Sequence, residues 1–428
     1  MREMKDSGVE WIGEIPIDWD TAKAKYVFSV VNGATPRSDE PDNWEGNIVW
    51  VTPTDMKQPL ETLTISEKNI TDTGLGSCGT TIVPRGSIVL STRAPIGKIA
   101  LAGVDLCTNQ GCKALVARKD LSSKFIGYYL FSISDFLVTL GRGTTFIELS
   151  TYDLLNLRLP CPTKIQQDKA LAYLDAKCAQ IDRAIARQQE VIEKLKEYKL
   201  SVITEAVSKG LNPNVPMKES GIEWLGEIPT HWTFQRLGDL CSRSITYGIV
   251  KLGEEDNNGV KVLRCSDVQP GFINESNIRT VAKTLSDEYS RSILQLGDVV
   301  VNVRGTLGGC AVISERQIGF NIAREVAIVP VSLANNRYIM YCLLSMVFSS
   351  YQKFSLRGVV YVGLNINLLS RYLVQLPPED EQVSISDYLD KKCERIDEIA
   401  MKKQTIIAKL EEYKKSLVYE VVTGKREV

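Results

Sequence analysis

Residues able to do covalent or metal chemistry are scarce in this chain. His231 is the single histidine, and no two of the ten cysteines have C-x-x-C spacing. The nearest pair, Cys107 and Cys112, has four residues between them. One imidazole and no thiolate pair argue against a zinc site. A histidine-dependent triad would have only His231 to use, within Thr230-His231-Trp232. Two readings stand for it, a functional role and a surface or capping position. Gly74-Leu-Gly76-Ser-Cys-Gly79 fits G-x-G-x-x-G, but β-rich Thr80-Thr-Ile-Val83 follows where a dinucleotide fingerprint needs a helix. A simple turn is therefore expected there. Gly97-Lys98 lacks the Ser or Thr that a phosphate-binding loop needs next. Glu197-Tyr-Lys199 and Glu412-Tyr-Lys414 echo a nuclease E-x-K without an acidic cluster before it, and read as charge on a helix face. Pro377-Pro378 runs into Glu379-Asp380, which suits a helix start and not an adenine-methyltransferase tetrapeptide. No catalytic constellation emerges.

The elements that would position any site follow from length and pattern. At 428 residues the prior is about three domains. With 44% hydrophobic and 24% charged residues the chain reads as globular, not disordered. No apolar run approaches the ~20 residues of a membrane span, so no membrane partner is expected. Met1–Asp6 leads into no apolar signal core, so the expected compartment is the cytoplasm. A formal net charge of −1 does not by itself announce a nucleic-acid binder.

The chain is written twice. Residues 7–19, SGVEWIGEIPIDW, return as residues 220–232, SGIEWLGEIPTHW, with four of thirteen positions changed. A closing block also recurs: Tyr173-Leu174-Asp175 as Tyr388-Leu389-Asp390, and Cys178, Ile181, Asp182, Leu195, Tyr198 and Lys199 as Cys393, Ile396, Asp397, Leu410, Tyr413 and Lys414. The middles match weakly but in order, as in Val83–Arg93 against Leu294–Arg304. Alike ends around diverged middles suggest two modules of one architecture with different ligands. Trp11, Trp19, Trp224 and Trp232 are either partner-binding anchors or core packing at the junction of module and helix.

Residues 164–209 contain no Gly or Pro. Leu171, Cys178, Ile185, Ile192, Lys199 and Ala206 form one heptad row, and Leu174, Ile181, Gln188, Leu195 and Val202 the other. The pattern predicts a coiled-coil seam, repeated over about residues 379–423. Gln188 and Lys403, and Lys199 and Lys414, are polar breaks that either fix register or mark exposure where the helices diverge. About 45 residues make a rod of roughly 65–70 Å. Tandem copies pairing antiparallel would be related by a pseudo-twofold axis, with the modules at opposite ends of a rigid spacer.

Residues 20–160 and 233–376 alternate short β-rich runs with turns, for example Asn47–Thr52, Ser87–Thr92, Val260–Leu263 and Asp298–Val303. A helix is expected late in each, over Ser123–Thr139 and Asn336–Phe354. The first module is neutral; the second carries +4, dominated by Arg, whose forks suit phosphates and guanine edges. The fold class is thus α+β: two mixed, strand-rich domains separated by two long antiparallel coiled-coil helices. The expected boundaries are 1–162 and 211–376 for the modules, 163–210 and 377–428 for the helices.

These repeated blocks, Ser7–Trp19 with Ser220–Trp232 and the two Tyr-Leu-Asp blocks, resemble the specificity subunit of type I restriction-modification systems. The resemblance covers nearly the whole chain, and its specific part is the twofold layout of module then long helix. It implies two target-recognition domains, each reading one half of a split, asymmetric site in double-stranded DNA. It implies that the helices dock two modification (methyltransferase) subunits and set the half-site spacing. Restriction subunits would add translocation and cleavage. The chain itself would be non-catalytic and hold no cofactor or metal, with S-adenosylmethionine, ATP and Mg in partner subunits.

For DNA contact, Gly-flanked polar segments single out Arg93, Lys98, Arg142, Thr144 and Thr145 in the first module. In the second they single out Asn302, Arg304, Arg357 and Tyr361. Arg93 and Arg304, being shared, are either structural or phosphate-directed. The alternatives in other classes are a non-catalytic coiled-coil scaffold that binds proteins rather than DNA, and an enzyme with an unrecognised site.

Overall fold

The computed structural model describes residues 2–57, 59–118, 121–143, 147–355 and 363–428. The chain divides into two compact units, 1–188 with 405–428, and 189–404. Each unit holds one module together with part of each long helix. The helices run Lys164–Lys209 and Glu379–Val422, within a residue of the heptad reading.

In the first unit a five-stranded sheet has the order Phe28–Asn32, Cys112–Ala117, Ile88–Ser91, Ile99–Ala102, Thr62–Leu63. A three-stranded sheet places Trp44–Val51 between Leu106–Thr108 and Asn69–Ile70. The second unit repeats the plan with four strands, Thr246–Tyr247, Val326–Val329, Val299–Asn302 and Cys310–Val312. Its three-stranded sheet centres Val260–Leu263 between Arg279–Val281 and Asn321–Ile322. Both three-stranded sheets contain one parallel pair, Thr108 beside Val51 and Ile322 beside Leu263. These pairs give a residue-by-residue register between the modules.

The opening repeat is a hairpin. Met4–Asp6 pairs with Glu14–Pro16, and Met217–Glu219 with Glu227–Pro229. Gly8, Gly13, Gly221 and Gly226 all have φ between +67° and +74°, where a Cβ is strained, so the motif keeps its glycines at both ends of each turn. Beyond the hairpins Trp19 and Trp232 are buried in the two main cores, and Trp11 stacks on Phe136. The tryptophans thus take the packing role. His231 lies at the surface with Nε2 2.8 Å from Glu381 in the first turn of the second long helix.

The late helices are each broken in two: Ser123–Ser132 with Ser134–Thr139, and Asn336–Leu344 with Met346–Ser355. A serine hydroxyl competes for the ladder at each break. Ser132 Oγ donates to the Tyr129 carbonyl. Ser345 Oγ donates to the Cys342 carbonyl and accepts Phe348 N. Gly74 and Gly76 lie inside a short helix, Asp72–Ser77, and not in a turn. Thr71 caps that helix by accepting Gly74 N. Gly74 serves packing, since a Cβ there would stand 2.3 Å from the Asn43 carbonyl oxygen, whereas a Cβ on Gly76 would meet nothing within 4 Å.

The closing repeat clamps each module to its long helix. Asp175 accepts from Tyr128 at 2.8 Å and Lys124 at 2.6 Å. Asp390 accepts from Tyr341 at 2.6 Å and from Arg337. Buried Gln167 accepts from Ser122 N and donates to the Pro162 carbonyl. Buried Gln382 does the same with Asn335 N and Pro377. The seam lysines are paired. In the first unit Lys414 meets Asp182 at 2.7 Å; in the second Lys199 meets Asp397 at 2.7 Å. Each pair joins one repeat to the other, in the opposite chain order that antiparallel helices require. Gln188 is partly buried.

Candidate nucleic-acid interface

Three loops meet at one region of the first module. The first, Thr52–Asp55, leaves strand Trp44–Val51. Asp55 closes it by accepting Thr52 N at 2.8 Å and reaches on to Glu67 N at 2.7 Å. The second, Thr92–Lys98, turns between two antiparallel strands. Ser91 Oγ donates to the Pro95 carbonyl and accepts Lys98 N, so one buried hydroxyl ties both arms of the loop. The third, Asn109–Gly111, follows Thr108, and its Gly111 carbonyl accepts Thr92 N and Arg93 N. Lys98 Nζ donates to the Pro53 carbonyl at 2.8 Å and joins the second loop to the first. The three loops line an open cavity of about 580 Å³ with Trp50, Thr54, Lys68 and Gln110 on its walls.

The second module builds the same three loops from other residues. Asp267 accepts Arg264 N at 2.8 Å, as Asp55 does with Thr52. Asn302 stands where Ser91 stands. Its Nδ2 donates to the carbonyls of Thr306, Cys265 and Val268 at 2.9–3.2 Å. This one amide makes the carbonyl contacts that Ser91 and Lys98 divide between them, while its Oδ1 accepts no hydrogen bond. The Glu325 carbonyl accepts Val303 N and Arg304 N, matching Gly111. A glycine holds the neighbouring strand close in each module: a Cβ on Gly33 would meet the Asn109 carbonyl oxygen at 2.1 Å, and one on Gly248 the Ile322 carbonyl oxygen at 1.8 Å.

The residues singled out from sequence fall in three groups. Arg93 and Arg142 are brought together, since both pair by backbone with Glu148. The Arg93 side chain is 44% exposed and its Nε lies 2.8 Å from Glu148; Arg142 is 80% exposed, 3.6 Å from Asp153. Lys98 and Asn302 are turned to the protein: Asn302 is 1% exposed, and its amide holds the loop from inside. Arg304 is partly exposed, with its guanidinium 5.6 Å from the centre of the Tyr247 ring. Thr144, Thr145, Arg357 and Tyr361 lie outside the described residues.

Charge is balanced differently in the two modules. Glu148 also meets Lys113, which is 7% exposed, at 2.7 Å. Burial pushes the Glu148 carboxyl up, but hydrogen bonds from Lys113 and Arg93 outweigh it and hold the group below the ordinary carboxylate range. In the second module Gly363 takes the place of Glu148 opposite Arg304. Its buried Asp298 is bound by Arg243 at 2.7 Å, yet burial raises its carboxyl above the usual value. Four thiols are held protonated and unreactive: burial lifts Cys107 to about 11 and Cys112, Cys241 and Cys342 to about 12. Among the described residues no group of three or more His, Cys, Asp or Glu is placed to hold a metal, and no helix is long and apolar enough to cross a membrane.

Sequence reading missed Glu148, Asp55, Asp267, Gln167 and Gln382. The aspartates left a signal, at corresponding places in Val51-Thr-Pro-Thr-Asp55 and Leu263-Arg-Cys-Ser-Asp267, and so did Gln167 and Gln382, which recur at the offset of the closing block.

Comparison with known proteins agrees with this twofold layout. The family model described as the type I restriction modification DNA specificity domain matches residues 16–197 and again 229–412. The MjaIX type I restriction enzyme specificity subunit of Methanocaldococcus jannaschii is 28% identical over 86% of this chain and 85% of its own. The EcoBI specificity subunit of Escherichia coli is 24% identical over 74% of this chain and 69% of its own. A structure solved to explain complex assembly and conformational transition of the type I R-M system covers 96% of this chain and 99% of its own, with a TM-score of 0.66 at 16% identity, and shares the fold.

Proposed function

The chain belongs to the type I restriction-modification DNA specificity family, and from that premise we propose that its two modules each read one half of a split, asymmetric site in double-stranded DNA. The observation that carries this is one loop framework built twice with different exposed residues. A shared framework suits a shared duplex, and different tips suit different bases. Arg93, Arg142 and Arg304, with Thr144, Thr145, Arg357 and Tyr361, are the residues proposed to meet DNA. Lys98 and Asn302 act through the loops they hold.

The clamps at Asp175 and Asp390 and the paired seam lysines support a rigid mounting. Such a mounting keeps half-site spacing fixed where a flexible tether would blur it. On this reading the helices dock two modification subunits, which bring S-adenosylmethionine, while restriction subunits bring ATP and Mg. The chain contributes recognition and no chemistry, and works in the cytoplasm. A protein-binding scaffold gains no support from the site.

Single-molecule methylation mapping of DNA from cells co-expressing the chain with a modification subunit tests the reading. A bipartite methylated motif that disappears when the chain is omitted is the expected result. Replacing residues 20–160 with another family member's module should change one half-site alone; a change in both halves refutes the modular reading.

A further inference from the structure

Resting on that reading, we propose that Gln110 and Arg324 are specificity-determining residues at one equivalent position of the two modules, Gln110 reading an adenine and Arg324 a guanine. The equivalence comes from strand register. Thr108 pairs with Val51 and Ile322 with Leu263, so the second residue beyond each pair is Gln110 in one module and Arg324 in the other. The backbone around both is fixed alike. Asn109 N donates to the Val51 carbonyl at 2.9 Å, and Ala323 N to the Leu263 carbonyl at 2.8 Å. The carbonyl of the next residue, Gly111 or Glu325, receives two amides of the neighbouring loop in each case.

On this common mount both side chains are exposed. They are of the two types that meet a purine edge with two hydrogen bonds at once. The Gln amide offers a donor and an acceptor to adenine N7 and N6; the Arg fork offers two donors to guanine O6 and N7. In the first module the Gln110 amide oxygen also accepts from Thr35 Oγ1. That contact limits the side chain's rotation before DNA arrives, and its second lone pair stays available for the adenine N6 amine. Arg324 has Ile249 behind its backbone amide, at 2.9 Å. Its charge also fits the more basic second module.

The test selects duplexes from a randomised library with the complex of the full chain and its modification subunit, for wild type, Gln110→Ala, Arg324→Ala and Gln110→Arg. Gln110→Ala should flatten the preference at one adenine-bearing pair of one half-site by about 5- to 150-fold. Arg324→Ala should do so at one guanine-bearing pair of the other half-site. Gln110→Arg should move its position toward guanine. Both native side chains are exposed, so the alanine variants spare the core, and retained salt-dependent binding of non-specific duplex verifies the fold. Unchanged base preferences, or uniform weakening on all sequences, overturn the assignment while the bipartite reading stands. A wild-type complex that selects no bipartite sequence overturns that reading and this one with it.

Discussion

The two units are alike where module meets helix and unlike where the loops gather. At the junctions the same residue types make the same bonds: Gln167 and Gln382 span a helix-start amide and a proline carbonyl, and Asp175 and Asp390 receive a tyrosine and a base. At the loops only the backbone plan survives. Ser91 and Lys98 divide donations to loop carbonyls that Asn302 makes alone, and Glu148 faces Arg93 where Gly363 faces Arg304. Repetition is thus strict where a module is fastened to its long helix, and relaxed at the loops proposed to meet DNA. A duplicated chain can change its reading surface without disturbing its mounting.

The largest effect that separates the units is expected at Glu148. Lys113 is nearly buried and has Glu148 as its countercharge, while Ala327 takes its place in the second module. Glu148→Ala leaves that ammonium unpaired and should cost the first unit about 3 kcal/mol. Hydrogen exchange should show faster opening in strand Cys112–Ala117 and no change in Val326–Val329. Equal acceleration in both strands contradicts the asymmetry. A smaller effect should show the opposite, that the junctions match. Gln167→Leu and Gln382→Leu each orphan one amide and one carbonyl at a helix start, and each should cost about 2 kcal/mol in its own unit. Urea unfolding of the two variants would give unequal losses if only one clamp mattered.

Part of this comparison is legible in the amino-acid sequence. The opening block shows as a repeat of thirteen residues, though not as a hairpin, because its four positive-φ glycines are evident only in the folded backbone; the helices show because 46 and 44 residues keep a seam between helix breakers. Lys199 and Lys414 were visible as polar breaks, but their aspartate partners sit on the other repeat, beyond the reach of a local pattern. Gln167 recurs as Gln382 at the offset of the closing block, but nothing local distinguishes its buried clamp from a polar residue on a helix face. The loop correspondence was hidden for another reason. Asp55 and Asp267 are 212 positions apart, Arg93 and Arg304 are 211, and Thr108 and Ile322 are 214. Small insertions between strands erase a fixed offset, and strand pairs such as those at Thr108 and Ile322 restore it. Gln110 and Arg324 could not be matched without them.

The smallest effect is a difference in sign between the units on acidification. Glu148 is held below the ordinary range by Lys113 and Arg93 despite its burial. Its ionised form therefore stabilises the fold above the unfolded value of about 4.3, and that contribution is lost as pH falls through the folded value. Asp298 is shifted the other way: burial outweighs its bonds from Gln295 N and Arg243. Its charge is a cost at neutral pH, and the cost disappears as pH falls through its raised folded value toward the unfolded one, about 3.9. Neutral replacements turn this into a measurement. The destabilisation caused by Glu148→Gln should shrink between pH 7 and about pH 4, whereas that caused by Asp298→Asn should grow. Urea unfolding at several pH values reads both slopes. Slopes of the same sign would mean that Lys113 and Arg93 do not dominate Glu148, or that Arg243 does dominate Asp298, and the electrostatic contrast between the modules would then be lost.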